Sequence, residues 1–123
     1  MERETDGGIQ AVKVARNQAL WREVNEKIRL VAETSEHMEF LCECADLECT
    51  QTLNLTVAAY ERIRSSGVRF PIAIGHDFPE FENVVEENEG YVVVEKIGIA
   101  AEEAEKLDPR SPGPVSDSSA ASA

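Results

Sequence analysis

Cys42, Cys44 and Cys49 are all the cysteines of this chain, and they fall within eight positions as C-x-C-x4-C in "FLCECADLECT". An odd number of thiols cannot close entirely into disulfides within one chain. The cluster therefore points to metal binding, to redox chemistry, or to three small packed residues. Zinc held by thiolates at about 2.3 Å in a tetrahedron needs its sulfurs roughly 3.8 Å apart. Residues two apart on an extended strand are about 7 Å apart at their Cα atoms, so the chain has to bend after Cys42. The intervening "ADLE" leaves room for a turn that returns Cys49, with Asp46 able to stabilise it through its own backbone. Three ligands follow from this local geometry, and a fourth must come from elsewhere.

Cys and His are the usual fourth ligands, and no cysteine remains. Of the two histidines, His37 lies just upstream, where a strand starting at Met38 carries it away from the cysteines. His76 follows Gly75 at the end of another strand and continues the parity of Phe70, Ile72 and Ile74. The expectation is one zinc per chain on Cys42, Cys44, Cys49 and His76; the competing reading of His76 is a turn residue capped by Asp77 or simply exposed to water. Glu43, Asp46 and Glu48 adjoin the thiols and should raise their pKa values by like-charge repulsion. That disfavours a reactive metal-free thiolate and favours occupation by a cation.

The elements that must position these residues show in the patterning. Leu20, Val24, Ile28 and Val31 recur at helical spacing within "AVKVARNQALWREVNEKIRLVAE". This stripe predicts a helix that packs on a sheet of its own chain or pairs with a second copy in a homodimer. The first is favoured, because so small a body has few other helices to cover a sheet. "MEFLCEC" alternates as a strand with Met38, Phe40, Cys42 and Cys44 on one face and Glu39 and Glu43 on the other. "TLNLT" reads as a short strand, and Thr56 as the N-cap of a helix over "VAAYERIRSS" that Gly67 ends. "VRFPIAIGH" is a strand placed at an edge by Pro71. Pro79 is expected to open a short helix, "EFENVVEEN", closed by Gly90. "YVVVEK" is a strand and "IAAEEAEKL" a final helix. The sum is a small α+β domain: an N-terminal helix on a short mixed or antiparallel sheet, with the cysteines at the tip of a zinc-knuckle-like hairpin.

At 123 residues with 42% hydrophobic content the chain fits one domain. The expected organisation is a flexible N-terminus over residues 1–11, where Gly7 and Gly8 are adjacent, a body over 12–107, and a disordered Pro/Ser/Ala-rich tail over 108–123. No stretch approaches the roughly 20 apolar residues of a membrane helix, and "MERETDGGIQ" lacks the apolar core of a signal peptide, so a cytoplasmic location is expected. Twelve Lys and Arg stand against 24 Asp and Glu, a net charge of -12. Such a field repels phosphate backbones and anionic lipid, which argues against nucleic-acid and membrane partners.

"RNQALWREVNEKIRLVAE", "FLCECADLECTQTLNLTVAAYERIRSSGVRFPIAIGH" and "GYVVVEK" together resemble a family of small, uncharacterised cytoplasmic proteins common in actinobacteria. In that family a C-x-C-x4-C segment follows an N-terminal helix and a Gly-His pair precedes an acidic helix. The resemblance covers about Ala15 to Lys96, and Cys42, Cys44, Cys49 and His76 match its pattern. Ile74 stands where family members often have proline. The resemblance implies that these four residues act together; it implies no activity.

Three functional classes remain. A non-catalytic module, stapled by a structural Cys3His zinc site and binding another protein, is favoured: the chain has no phosphate-cradling Gly-rich loop and no Ser/His/Asp spacing, and a closed four-ligand site leaves zinc no open position. A thiol/zinc redox switch uses the same cysteines. An enzyme with a nucleophilic Cys42 or Cys49 and His76 as base is disfavoured by the carboxylates around the thiols.

Overall fold

The computed structural model describes residues 2–32 and 36–110, with side chains from residue 7 onward. A 28-residue helix, α1 (Glu2–Arg29), leads into an antiparallel pair of strands, β1 (His37–Leu41) and β2 (Thr52–Thr56). The helix α2 (Val57–Arg64) follows directly, capped by the Thr56 hydroxyl, which accepts from the Ala59 N–H as its position in the sequence predicts. The remaining strands, β3 (Arg69–Ile72), β4 (Glu82–Asn88) and β5 (Tyr91–Lys96), form a second antiparallel sheet in the order β3-β5-β4. A last helix, α3 (Gly98–Lys106), packs against α1. The α+β class and the antiparallel pairing are as expected, but the strands divide between two small sheets.

The segment expected to be a short acidic helix after Pro79 is the strand β4. Val84 and Val85 are β-branched, and the two residues Glu89 and Gly90 connect β4 to β5, with Gly90 at φ +90. Pairing with the apolar β5 outweighs the modest helix propensity of the glutamates. β3 lies at a sheet edge, where Pro71 needs no ladder donor on its outer side.

α1 presents a different face to the core from the one its hydrophobic stripe predicts. Leu20, Val24 and Val31 are 51%, 43% and 79% exposed, and of the stripe only Ile28 packs against the core. The buried face carries Ala11, Val14, Ala15, Gln18, Ala19, Arg22 and Asn25. Small residues let α1 approach α3 closely at Ala100 and Ala104, while the polar members find partners. Arg22 donates to Gly67 O and Ala104 O at 2.9 and 3.0 Å and lies over the Phe70 ring. A buried polar group is tolerated when it is bonded in this way, and the polar face of the helix can then go inward.

The boundaries also shift. α1 is already helical at Glu2, ahead of the expected start of the body at residue 12, and continues through Gly7 and Gly8. The buried contacts of Ala11 and Val14 against Phe81 and Ala100 anchor it. At the other end, Asp108 is buried and Arg110 reaches Glu26 and Glu61 at 2.7 and 2.8 Å, so residues 108–110 belong to the body; the remainder of the expected tail, 111–123, lies outside the described residues.

These C-terminal contacts centre on Arg64, whose side chain is fully buried between Glu26 and Asp108. Burial by itself would raise the pKa of both carboxyls. Hydrogen bonds from Arg110 and Arg64 to Glu26, and from Arg64 to Asp108, reverse the sign and hold both below the ordinary range. A carboxylate with a depressed folded-state pKa stabilises the fold above its unfolded pKa, and the contribution disappears as pH falls through the folded value. Asp108→Ala should therefore cost about 3 kcal/mol at neutral pH by leaving Arg64 short of one buried partner. In urea denaturation followed at neutral pH and below pH 4, the deficit should shrink in acid; a constant deficit would show that the ion pair does not set it.

Candidate metal centre

The knuckle is built from irregular chain between β1 and β2. After Leu41 the strand pairing ends, and the chain turns through "CECADLEC" with Asp46 O accepting the Cys49 N–H at 3.1 Å and Asp46 Oδ1 accepting the Glu48 N–H at 2.9 Å. This is the Asp-stabilised turn the sequence predicts. Cys42 N–H bonds Gln51 O at 3.1 Å, closing the base of the loop.

His76 reaches the same point by a turn rather than by strand parity. β3 stops at Ile72, Ile74 is 63% exposed, and Ala73–His76 closes as a β-turn in which His76 N–H bonds Ala73 O at 3.0 Å. Gly75 sits at φ +88, the left-handed third position of a type II turn, and Ile74 takes the second position, where proline is favoured. The ring is thereby swung inward. His37 sits at the opposite end of β1, opposite Thr56 and bonded through Nδ1 to Asn54 Oδ1.

The donor atoms of Cys42, Cys44, Cys49 and His76 all lie within 4.8 Å of one another. His76 Nδ1 is 3.6 Å from Cys42 Sγ and 3.7 Å from Cys49 Sγ. A tetrahedral zinc with sulfur at about 2.3 Å and nitrogen at about 2.0–2.1 Å has S···N edges of roughly 3.6 Å, so the spacing fits the ion. Two of the sulfurs also accept backbone N–H groups, Cys42 from Ala73 at 3.1 Å and Cys49 from Gln51 at 3.5 Å. Such bonds suit thiolates, which only accept. Cys42 and Cys44 are buried, and Cys49 and His76 close the group on the solvent side.

The thiols do not titrate as a uniform set. The Cys42 thiol shares its proton with Cys44, holding Cys44 down at about 5, while that bond and burial push Cys42 up; burial also raises Cys49. The rise expected from acidic neighbours is seen at none of the three thiols: Cys42 and Cys49 are raised by burial and by the other sulfurs, and Cys44 is lowered. Expected on the solvent side of a strand, Glu43 is instead fully buried, and its carboxyl turns away from the sulfurs. Its Oε2 accepts from Tyr60 Oη at 2.7 Å and from Asn25 Nδ2 at 2.8 Å. Burial pushes its pKa up to about 7 against the pull of these two bonds, and its Oε1 has no hydrogen-bond partner among the described residues.

α1 holds the knuckle through four side chains. Asn17 donates to Ala45 O at 2.8 Å, Gln18 to Glu43 O at 2.7 Å, Trp21 to Asp46 O at 3.3 Å, and Asn25 to Leu41 O at 2.9 Å. Asn25 Oδ1 also accepts the Leu41 N–H at 2.8 Å, so its amide extends the edge of β1 like one more strand residue. On the far side, Glu43 N–H bonds Pro71 O at 3.0 Å, tying the knuckle to the second sheet. The His76 loop has its own support. Glu82 Oε2 accepts the Phe78 N–H at 2.7 Å, and Glu82 Oε1 pairs with Lys96 Nζ at 2.7 Å in a pair with almost no solvent exposure.

Among these supporting residues, Asn17, Gln18 and Asn25 carry no motif that marks them singly in the sequence. Asn17, Gln18, Trp21 and Asn25 occupy one flank of α1, and a row of amides at helical spacing is the signal that marks them.

No family model, curated protein or solved structure matches this chain. What can be said of the site rests on its own atoms. The chain brings together all four residues singled out as ligands, three soft sulfurs and one imidazole converging on one point, a donor set suited to zinc and to other thiophilic metals.

Because Asn25 fixes the strand from which Cys42 departs, Asn25→Ala should loosen the knuckle without unfolding the protein. Loss of such outer contacts typically costs 10–100-fold in metal affinity, so a competition titration against a chromophoric chelator should show weakening of about that size, with the far-UV circular dichroism unchanged. An affinity equal to that of the parent would mean that α1 does not position the ligands.

Proposed function

We propose that the protein is a small acidic zinc-binding module whose Cys3His centre is structural, and whose task is to bind another protein. The single observation that carries the metal reading is the convergence of Cys42, Cys44, Cys49 and His76 within 4.8 Å, with S···N spacings matching a tetrahedral edge. Zinc is favoured among thiophilic metals because it is tetrahedral in three-sulfur, one-nitrogen sites. Bound there, it would act as a cross-link of fixed geometry. The residues of the chain do the remaining work: Ala73 and Gln51 N–H groups stabilise thiolate charge, and the amides of α1 keep the loop from collapsing.

A structural role is favoured over a catalytic one because four protein donors fill a tetrahedron and leave zinc no position for water. The interaction reading follows from this. A cytoplasmic location is part of the proposal, supported by three clustered thiols kept outside disulfides; no helix of the described residues is long and apolar enough to cross a membrane. So is kinship with the small actinobacterial proteins the sequence resembles, on the strength of the C-x-C-x4-C segment and the Gly75–His76 pair.

The second reading, a thiol/zinc redox switch, draws on the same cysteines, of which Cys49 is only partly buried and so within reach of an oxidant.

Native mass spectrometry of the purified protein should show one zinc per chain, with elemental analysis excluding iron and copper. Cys44→Ser should lose the metal, and His76→Ala should weaken it. Full zinc retention by Cys44→Ser, or a parent protein purified from zinc-replete cells without metal, would overturn the metal reading. Retention of zinc under peroxide doses that oxidise a free thiol separates a structural site from a switch.

A further inference from the structure

The outward face of α1 is used by neither the core nor the metal centre. Between Ile9 and Arg29 that face exposes Ile9, Leu20 and Val24, at 56%, 51% and 43%, and Val31, in the turn that follows the helix, is 79% exposed. Apart from Val14 and Ile28, the helix buries chiefly amides, alanines and Arg22 and leaves Leu20 and Val24 in water, which departs from an ordinary surface helix. Leu20 and Val24, one helical turn apart, form the adjacent exposed apolar pair at the centre of this face.

Charge decides what kind of partner fits. In a chain of net charge -12, the exposed ionic groups of this stretch are Lys13, Arg16 and Lys27 against the single anion Glu23. Arg16 is 3.4 Å from Glu103 but 66% exposed, and Lys13 and Lys27 have no ion-pair partner among the described residues. The other charged residues here, Arg22, Glu26 and Arg29, are turned into the body or engaged in ion pairs. The face is therefore an apolar ridge set between cations on an otherwise acidic protein. A second copy of α1 would bring the same cations together across the contact, and like charges juxtaposed at an interface are costly. An acidic surface with its own apolar ridge is complementary in both respects.

We propose that the outward face of α1, from Ile9 to Lys27, docks an acidic amphipathic helix of another protein, with Leu20 and Val24 as apolar anchors and Lys13, Arg16 and Lys27 pairing with its carboxylates. The 21 helical residues from Ile9 to Arg29 rise about 30 Å, enough to seat five to six turns of a partner. The inference rests on the interaction part of the proposed function and is independent of the metal. It also gives the fold a reason to turn α1 over: the amides hold the knuckle on one side, and the aliphatic groups are left free on the other.

The test uses the full-length zinc-loaded chain and a synthetic helical peptide of about six turns with leucine at a and d positions and glutamate at the flanking ones. Its counterpart carries lysine in place of glutamate. Trp21, the only tryptophan, lies on the flank of this face and reports binding by fluorescence. The glutamate peptide should bind and the lysine peptide should not. Leu20→Glu and the double variant Lys13→Glu/Lys27→Glu should each weaken binding about tenfold or more, and added salt should weaken it further. Equal binding of the two peptides, or binding by neither, overturns the proposal. So does a dimer of the chain alone in sedimentation that Leu20→Glu disperses, and so does tighter binding to phosphatidylserine vesicles than to the peptide. Zinc is counted in every sample: docking absent with one zinc per chain sinks this inference alone, whereas absence of zinc sinks the metal reading.

Discussion

Irregular backbone is costly to bury, and the whole arrangement depends on how this protein satisfies it. The segment from Leu41 to Asp46 has to leave its strand so that three sulfurs can meet, and on leaving it loses the ladder partners that a strand provides. α1 supplies replacements in the form of Asn17, Gln18, Trp21 and Asn25, each bonding a carbonyl of that segment. Once those four donors face inward, the rest of the helix is determined. Its alanines meet α3, Arg22 finds Phe70 and two carbonyls, and Leu20 and Val24 are left facing outward.

Glu43 sits where these demands meet. Its N–H bonds the second sheet at Pro71, its carbonyl bonds Gln18, and its carboxyl bonds Asn25 and Tyr60. Tyr60 in turn stacks on Phe40, with ring centroids 4.5 Å apart, so the polar group beneath the cysteines is continuous with the aromatic core. The cysteines flanking Glu43 point the other way, toward His76. One residue therefore separates two environments: a sulfur cluster open to a cation, and a closed network in which burial raises the pKa of a carboxyl against the pull of its hydrogen bonds.

The same economy appears at the other end of the molecule. Arg64, fully buried, fastens Glu26 of α1 to Asp108 beyond α3, and Arg110 adds Glu26 and Glu61 to the set. With Glu82 and Lys96 beneath the His76 loop, these pairs give a domain with a modest apolar core specific cross-connections between segments far apart in sequence. A metal held by the four residues of the knuckle would belong to the same strategy, since small domains commonly add such staples to a limited core.

The sequence by itself determined the features that depend on neighbours along the chain. Alternating Leu53 and Leu55, the Thr56 cap, the apolar run of β5, the edge position of Pro71 and the Asp46 turn all follow from periods of two, from single side-chain bonds or from a missing donor, and all are seen. The C-x-C-x4-C spacing likewise announced a converging loop, because bond lengths limit how sulfurs can meet. Tertiary structure alone decided which face of α1 is buried, whether Glu80 to Asn88 is helix or strand, where the Glu43 carboxyl points, and that a turn at Gly75 aims His76 at the sulfurs. Each of these depends on a partner distant in sequence: backbone carbonyls waiting for amides, a β5 edge waiting for a strand, a tyrosine hydroxyl waiting for a carboxylate. Hydrophobic periodicity assumes that the core wants apolar groups, and it fails in α1 because the surface to be covered was polar backbone.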